Sequence, residues 1–352
     1  MANGNVAGVA PPEKPQPPAT TRPPSHADSP VTRPPAPDRL DGSVAVITGA
    51  NSGVGLETAV ALAARGARVI GAVRNRAKGE RALELIAQRS GSDSVEMRPL
   101  DLADLTTVTA LADSLDGQPI DLLINNAGII QGRRTETAQG FETTFGVNHL
   151  GHFLLTRLLL PGLRGVADPT PADPLERRAI PSRIINLASG AHHAALRGIR
   201  FDRLDRRTGR FWNTFGVYGE SKLANVLFTR SLADRLDPAR VVAHSVHPGG
   251  VATEFGMDGD VSSRLERWIR PVEQRVLLTP EQGAETSVFV ATSVLCGRSS
   301  GTYWVRKRPG TLSRWAKSTE HGEHLWALSE RLLAQAGFPV PPVPATTPIV
   351  VP

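Results

Sequence analysis

A chain of 352 residues carrying a net charge of +6 can hold one large α/β domain or two ordinary ones around a sizeable core. Its single cysteine, Cys296, excludes an intrachain disulfide and agrees with a reducing compartment. No charged segment leading into an apolar stretch opens the chain, and no apolar run reaches the roughly 18 residues of a membrane span. A soluble cytoplasmic protein with no membrane partner is therefore expected.

Residues 1–40 hold proline clusters such as PPEKPQPP and TRPPSHADSPVTRPPAPD with almost no large apolar side chains. They bury too little to offset the entropy of ordering and read as a disordered, partly polyproline tail. PVPPVPATTPIVVP, over 339–352, reads the same way. One folded unit over 41–338 remains.

From Ser43 onward, short β-branched runs alternate with longer segments of helical period, the pattern of a doubly wound α/β sheet. The predicted strands are SVAVIT, ARVIGAV, SVEMRPL, IDLLIN, RIINLA, RVVAHSV and a late GTYWVR. Each is mostly apolar, as suits parallel strands covered on both faces. Between them VGLETAVALAARG, KGERALELIAQR, LTTVTALADSL, a long segment from Gly140 to Leu163 and YGESKLANVLFTRSLADRL have helical periodicity. A single Rossmann-type sheet of six to seven parallel strands, with helices on both faces, follows.

Three segments break the rhythm. RGVADPTPADPLERRAIPS, before RIINLA, reads as a proline-broken surface loop. RGIRFDRLDRRTGRFW, Arg197 to Trp212, sets six arginines against two aspartates and reads as a solvated loop or a positive rim for anionic ligands, not a nucleic-acid site. Thr253 to Pro280 is long and arginine-rich, helical around SSRLERWI, and suits a mobile lid.

The first strand runs into TGANSGVG, residues 48–55, and then into a helix. Glycines at 49, 53 and 55 permit a tight turn and close backbone approach, and the amides that open the helix form an anion site. The loop residues Gly49, Asn51, Ser52, Gly53, Val54 and Gly55 are thus candidates to hold a dinucleotide phosphate. The next strand ends GAVRNRAKGE. Where an acidic residue would accept the ribose hydroxyls of NAD, Val73 and Arg74 stand instead. A guanidinium suits a 2′-phosphate, so NADP(H) is preferred over NAD(H), with Arg76 available to share the contact.

With TGANSGVG, NNAG at 125–128 and YGESK at 218–222 in this order, the chain resembles the short-chain dehydrogenase/reductase family over about residues 42 to 306. NHLGHFLLT, YGESKLANVLFTRSLA and SVHPGGVATE are closest to its retinol-dehydrogenase-like branch, whose members act on lipophilic alcohols and carbonyls. The resemblance implies a catalytic set of Tyr218 as general acid/base, Lys222 as its partner, Ser189 as the hydroxyl that orients a carbonyl and Asn148 as the fourth member. It also implies cofactor contacts from Asp101 to adenine, from Asn126, from Tyr218 and Lys222, and from Pro248, Gly249 and Thr253 along the nicotinamide. The chain departs from the pattern at Ser52, where members preferring NADPH often carry a basic residue, which places phosphate recognition on Arg74. Ala188 replaces the first serine of the usual SS pair, and a proline-rich tail stands where membrane-bound relatives have an apolar anchor.

The chemistry suits these residues. Residues four apart on a helix share a face, so Tyr218 and Lys222 are neighbours. A free tyrosine has a pKa of about 10, and a nearby ammonium lowers it toward general acid/base work. Ser189 can hydrogen-bond an oxygen where charge develops, while Asn148 is expected to hold a water linking Lys222 to solvent. His149, His152, His192, His193, His244 and His247 lack cysteine companions at ligand spacing, so no metal is expected and His149 and His152 read as packed or hydrogen-bonded. No GxSxG elbow supports hydrolysis. Two rival readings are a non-catalytic dinucleotide-binding regulatory protein and an extended-type epimerase or dehydratase. A small carbonyl or alcohol is the expected partner; the oligomeric state stays open, a homo-oligomer included.

Overall fold

The apolar runs expected as strands form β1 (Val44–Thr48), β2 (Arg68–Val73), β3 (Val95–Pro99), β4 (Leu122–Asn125), β5 (Ser182–Leu187), β6 (Val241–His247) and β7 (Tyr303–Val305). All seven pair in parallel. The computed structural model describes residue 1 and residues 39–163, 181–204, 213–250 and 278–343. Residues 2–38 and 344–352 of the two proline-rich tails lie outside the described residues, as do 164–180 of the proline-broken loop, 205–212 of the arginine-rich segment and 251–277 of the proposed lid.

The sheet order is β3-β2-β1-β4-β5-β6-β7-β8. The one addition to the expected strands is β8 (Arg308–Pro309), which folds back antiparallel on β7. Arg306 and Lys307 link the two with φ of 49° and 62°, the left-handed turn whose twist matches a hairpin. Neither is the glycine or asparagine that usually marks such a turn, so the hairpin has no clear signature in the sequence.

Helices cover both faces. α1 (Gly53–Ala63), α2 (Arg76–Ser90), α3 (Leu105–Ser114), α4 (Thr143–Phe145), α5 (Gly151–Leu159), α6 (Phe201–Leu204), α7 (Thr214–Ala233), α8 (Pro280–Thr292) and α9 (Thr319–Gln335) follow in chain order. On one face Val54, Val60 and Leu62 of α1 and Ala284 and Val290 of α8 pack on Ile47, Ile124 and Val246. On the other, Val108, Leu154, Phe228 and Leu232 of α3, α5 and α7 cover Val46, Leu123 and Ile184. Glu57 and Arg89 pin α1 to α2 through two parallel bonds of 2.7 Å, the bidentate geometry that makes such pairs strong.

The segment Gly140 to Leu163 is not one helix. α4 passes into a π-helical turn, Gly146–Leu150, then α5, and a short 3-10 turn containing Pro161 ends it. A π turn re-aims its side chains and is frequent at functional sites; here it carries Asn148. Two helices go beyond the pattern read from the sequence. α8 opens with a capping box between Thr279 and Gln282. α9 is held by Trp326, whose ring lies between the guanidinium groups of Arg157 (4.9 Å) and Arg235 (4.2 Å) while its Nε1 donates to Glu330 (2.9 Å).

This topology decides where a ligand can bind. The chain winds outward from β1 to β3, then returns to place β4 on the other side of β1. At that switch point a crevice opens outside the carboxyl ends of the strands. The segments following β1, β4, β5 and β6 border it, and they carry the motifs.

Candidate active site

The turn after β1 uses its glycines as expected. Gly49 and Gly53 have φ of +68° and +54°, left-handed values that glycine alone adopts without strain. A Cβ on Gly55 would stand 2.3 Å from the Gly49 carbonyl oxygen, so the start of α1 lies directly on the turn. Ser52 caps α1 with extended backbone but makes no side-chain cap bond. The first-turn amides therefore keep their donors for a ligand, and amides at a positive helix end fit a dinucleotide phosphate.

Thr48 ties this turn to the one after β4. Its Oγ1 accepts from the amides of Asn126 and Ala127, both at 2.9 Å. Its own proton then goes to Nε2 of His152, 2.9 Å away, and His152 Nδ1–H donates to the Asn148 carbonyl at 3.2 Å. Burial holds His152 neutral, its pKa pushed down to about 4. Asn126 adds a bond from Nδ2 to the Thr48 carbonyl (2.8 Å), so its side chain is spent on the turn. Thr48→Val is expected to destabilise the fold by about 1–3 kcal/mol, because the Ala127 amide loses its acceptor and buried His152 its donor; chemical denaturation measures it.

Arg74 lies exposed just past β2. Ala72 pairs with Thr48 and its carbonyl accepts from the Gly49 amide at 2.8 Å, so Arg74 and the glycine turn share one sheet edge. Arg76, exposed at the start of α2, pairs with Glu80 on its own helix (2.8 Å). Asp101 follows β3 at the same edge, and its Oδ1 accepts from the Ala103 amide (2.9 Å). Asp104, not Asp101, caps α3.

The four residues of the expected catalytic set converge beyond the end of β5. Ser189 follows β5 by two residues and caps the 3-10 turn Gly190–Ala194, its Oγ accepting from the Ala191 amide at 3.1 Å. Tyr218, in α7, stands near enough to Ser189 for the serine hydroxyl to act on its pKa, in the lowering sense. Lys222 Nζ lies 5.6 Å from the centre of the Tyr218 ring and donates to the Leu187 carbonyl at 3.1 Å. Asn148 reaches α7 from the π turn, its Nδ2 donating to Ser221 Oγ (3.0 Å), and Ser221 in turn donates to the Tyr218 carbonyl (2.8 Å).

One expectation is corrected here. Lys222 was to lower the Tyr218 pKa, yet the net shift is upward: burial outweighs the effect of Ser189, which acts in the opposite sense. The ammonium is turned to the Leu187 carbonyl and is itself buried, which lowers its own pKa to about 8. The side-chain amide of Asn148, the residue expected to hold a water, is engaged with protein groups. Both Nδ2 protons are used, on Ile129 O (2.9 Å) and Ser221 Oγ, and Oδ1 accepts from the Ile129 amide (2.8 Å). Asn148 therefore clamps the turn after β4 onto α7.

Gly249, in the turn after β6, has φ of +95°, and a Cβ there would stand 2.4 Å from Leu278 Cδ1. It follows Pro248, and its amide donates to His247 Nδ1 (3.3 Å). Thr253 lies outside the described residues. His149, which the sequence assigned to packing, shares Nε2 with Ser329 Oγ at 2.8 Å and lies among Phe145, Phe153 and Phe228. Among the described residues no group of three or more His, Cys, Asp or Glu could hold a metal ion.

Thr48 and Ser221 were not singled out from the sequence, and His152 was read only as a packed or bonded histidine. The one local signal was the i, i+4 spacing of Asn148 and His152 in NHLGH, which lets the imidazole reach back to a carbonyl one turn earlier.

Comparison with known proteins agrees with this arrangement. A family profile described as short chain dehydrogenase matches residues 43–198. Retinol dehydrogenase 11 of Mus musculus is 40% identical over 304 residues, covering 86% of this chain and 89% of that protein. Among solved structures, an uncharacterised protein from Mycobacterium paratuberculosis is 33% identical with a TM-score of 0.65, covering 90% of this chain and 98% of that one. The 3-ketoacyl-(acyl-carrier-protein) reductase of Brucella melitensis, solved with NADH, is 26% identical with a TM-score of 0.51 over 75% and 96% of the two chains. With matches of this extent, and with a glycine turn and a Ser-Tyr-Lys cluster at one sheet edge, the chain belongs to the short-chain dehydrogenase/reductase family, in its retinol-dehydrogenase-like branch, and is an NAD(P)-dependent enzyme acting on CH–OH groups.

Proposed function

We propose that the enzyme interconverts a lipophilic carbonyl and its alcohol with NADP(H), and that Tyr218 moves the proton. The observation that carries this reading is the placement of Tyr218 beside Ser189 at the crevice, with Lys222 on the next turn of the same helix. When bound, the dinucleotide supplies or accepts the hydride. The uncapped start of α1 would hold its phosphates, and Arg74 its 2′-phosphate.

The chain's own groups account for the oxygen side of the reaction. Ser189 and Tyr218 together present two hydroxyls to one substrate oxygen: Ser189 bonds it where charge develops and Tyr218 exchanges the proton. A raised Tyr218 pKa keeps the phenol protonated before reduction begins, the form that can donate. The buried Lys222 stands ready to stabilise the phenolate left after donation.

Lipophilic substrates are supported by the names of the retinol dehydrogenase relatives. Phe215, three residues before Tyr218 on α7, and Leu196, just past the Ser189 turn, are large apolar side chains left mostly exposed. A panel of lipophilic, steroidal and quinone carbonyls with NADPH, followed by absorbance loss, tests the reaction; no turnover with any of them would sink it.

The NADP(H) preference rests on Arg74, at the sheet edge it shares with the glycine turn. Arg74→Asp is expected to lower kcat/KM with NADPH roughly ten- to a hundredfold, the effect of losing a hydrogen bond to a charged group, and to improve NADH relative to it. An unshifted ratio would show that the end of β2 does not read the phosphate. Cytoplasmic location is part of the same proposal, and fractionation of the expressing cells checks it. Among the described residues no helix is long and apolar enough to cross a membrane.

A further inference from the structure

Behind Ser189 lies a buried histidine that the reaction itself does not use. His192 is fully buried. Its Nδ1 lies 2.7 Å from the Ser189 carbonyl oxygen, and the Ser313 amide donates to its Nε2 at 3.3 Å. A main-chain N–H can only donate, so Nε2 is the acceptor and the proton sits on Nδ1. The ring is therefore a neutral, single-tautomer bridge from the Ser189 carbonyl to the segment that follows the β7–β8 hairpin. The Tyr303 ring meets it edge-on at 4.9 Å and the His193 ring lies 4.1 Å away, so its plane is fixed by packing as well.

We propose that His192 is a positioning residue for Ser189, holding the 3-10 turn Gly190–Ala194 closed so that the serine hydroxyl points at the substrate oxygen. The need for such a part follows from the turn. A 3-10 turn of five residues has poor internal hydrogen-bond geometry, and here the main-chain bond from the His192 amide to the Ser189 carbonyl is 3.2 Å long. The Ser189 Oγ takes its direction from the Ala191 amide within that same turn. If the turn opens, the hydroxyl swings. The short imidazole bond closes it on one side, and on the other a Cβ on Gly190 would already be 3.3 Å from His247 Nε2. The sequence places a donor of the right length three residues after the serine; only the fold brings Ser313 to the far nitrogen and selects the tautomer.

The proposal rests on the reading of Ser189 as the hydroxyl that bonds the substrate oxygen, and the test separates the two. Asparagine at 192 keeps a donor near the place of Nδ1 but loses the acceptor; glutamine keeps an acceptor near the place of Nε2 but loses the donor. His192→Gln is expected to lower kcat about tenfold with KM for the dinucleotide unchanged, and His192→Asn to stay within about twofold of wild type, because misplacing a group by a fraction of an ångström weakens only the chemical step. In a Ser189→Ala background, His192→Gln should lower the residual kcat no further. Thermal denaturation identifies any variant that fails to fold, and His192→Asn remains a second readout. Equal kcat in His192→Gln and wild type, no rescue by Asn, or the same loss from His192→Gln with and without Ser189 would each overturn the positioning role. Full activity in Ser189→Ala alone would instead overturn the reading of Ser189, and the proposal with it.

Discussion

Tyr218→Phe is expected to lower kcat by about 10²–10⁴-fold, the contribution typical of a positioned acid or base, while dinucleotide affinity measured by equilibrium titration stays near the wild-type value. The phenyl ring keeps the packing of a side chain set into α7 and removes only the hydroxyl that stands beside Ser189. The Tyr218 carbonyl still accepts from Ser221 at 2.8 Å, so the link from α7 through Ser221 to Asn148 is untouched. A fall in turnover without a change in binding therefore isolates proton transfer. Turnover at the wild-type rate would place the acid elsewhere.

Lys222→Met is expected to act in opposite directions on activity and stability. Turnover should fall by roughly 10²-fold or more, since the phenolate loses its neighbouring cation. Stability should rise, because Lys222 is buried with its ammonium donating to the neutral Leu187 carbonyl, and desolvation disfavours its charged form. The sign of the pH dependence follows from its shift. Lys222 gives up its proton near pH 8 in the folded chain, against an ordinary value of 10.5. Between those values the unfolded chain binds more protons, so wild-type stability rises with pH there. Below pH 8 the burial penalty is present in full. Thermal scans at pH 7 should thus show a Tm for Lys222→Met about 2 °C or more above wild type, with the gap closing as pH climbs from 8 toward 10.5. The Leu187 carbonyl keeps its bond from Asn225 (2.9 Å), so the substitution leaves no unpaired acceptor there. An equal or lower Tm at pH 7 would mean that Lys222 is not a stored strain of the active site. The Tyr and Lys predictions separate the acid from the residue that tunes it.

The parallel strands were legible because burial on both faces forces near-continuous apolar runs. SVAVIT and RIINLA are such runs, and β1 and β5 are buried along their whole length. β7 was legible for the same reason, while β8 was not, because two exposed residues linked through Arg306 and Lys307 carry no apolar signal. α9 was missed although Leu325, Leu328, Leu332 and Leu333 recur at helical spacing. Its anchor is long-range: Trp326 is held by Arg157 of α5 and by Arg235, just past the end of α7. The long segment before β5 has helical period throughout, and nothing in it reveals that the turn at Gly146–Leu150 widens to π geometry.

Family membership and the choice of candidate site residues were legible in the sequence alone. The glycine turn, Ser189, Tyr218 and Lys222 are chemical requirements expressed as residue types at fixed local spacings, and local spacing survives in a one-dimensional string. What those residues do to each other was decided by the tertiary structure. The i, i+4 rule correctly made Tyr218 and Lys222 neighbours, but the direction of the Tyr218 shift depended on burial in the fold, and there desolvation prevailed. Asn148 was chosen by its motif, yet its partners Ile129 and Ser221 lie 19 and 73 residues away. Thr48 and His152 meet across 104 residues, and His192 and Ser313 across 121. Such contacts have no period in the sequence. They follow from the crossover at β1 and β4, which gathers the ends of distant strands at one edge and leaves burial, hydrogen bonding and tautomer to be set there.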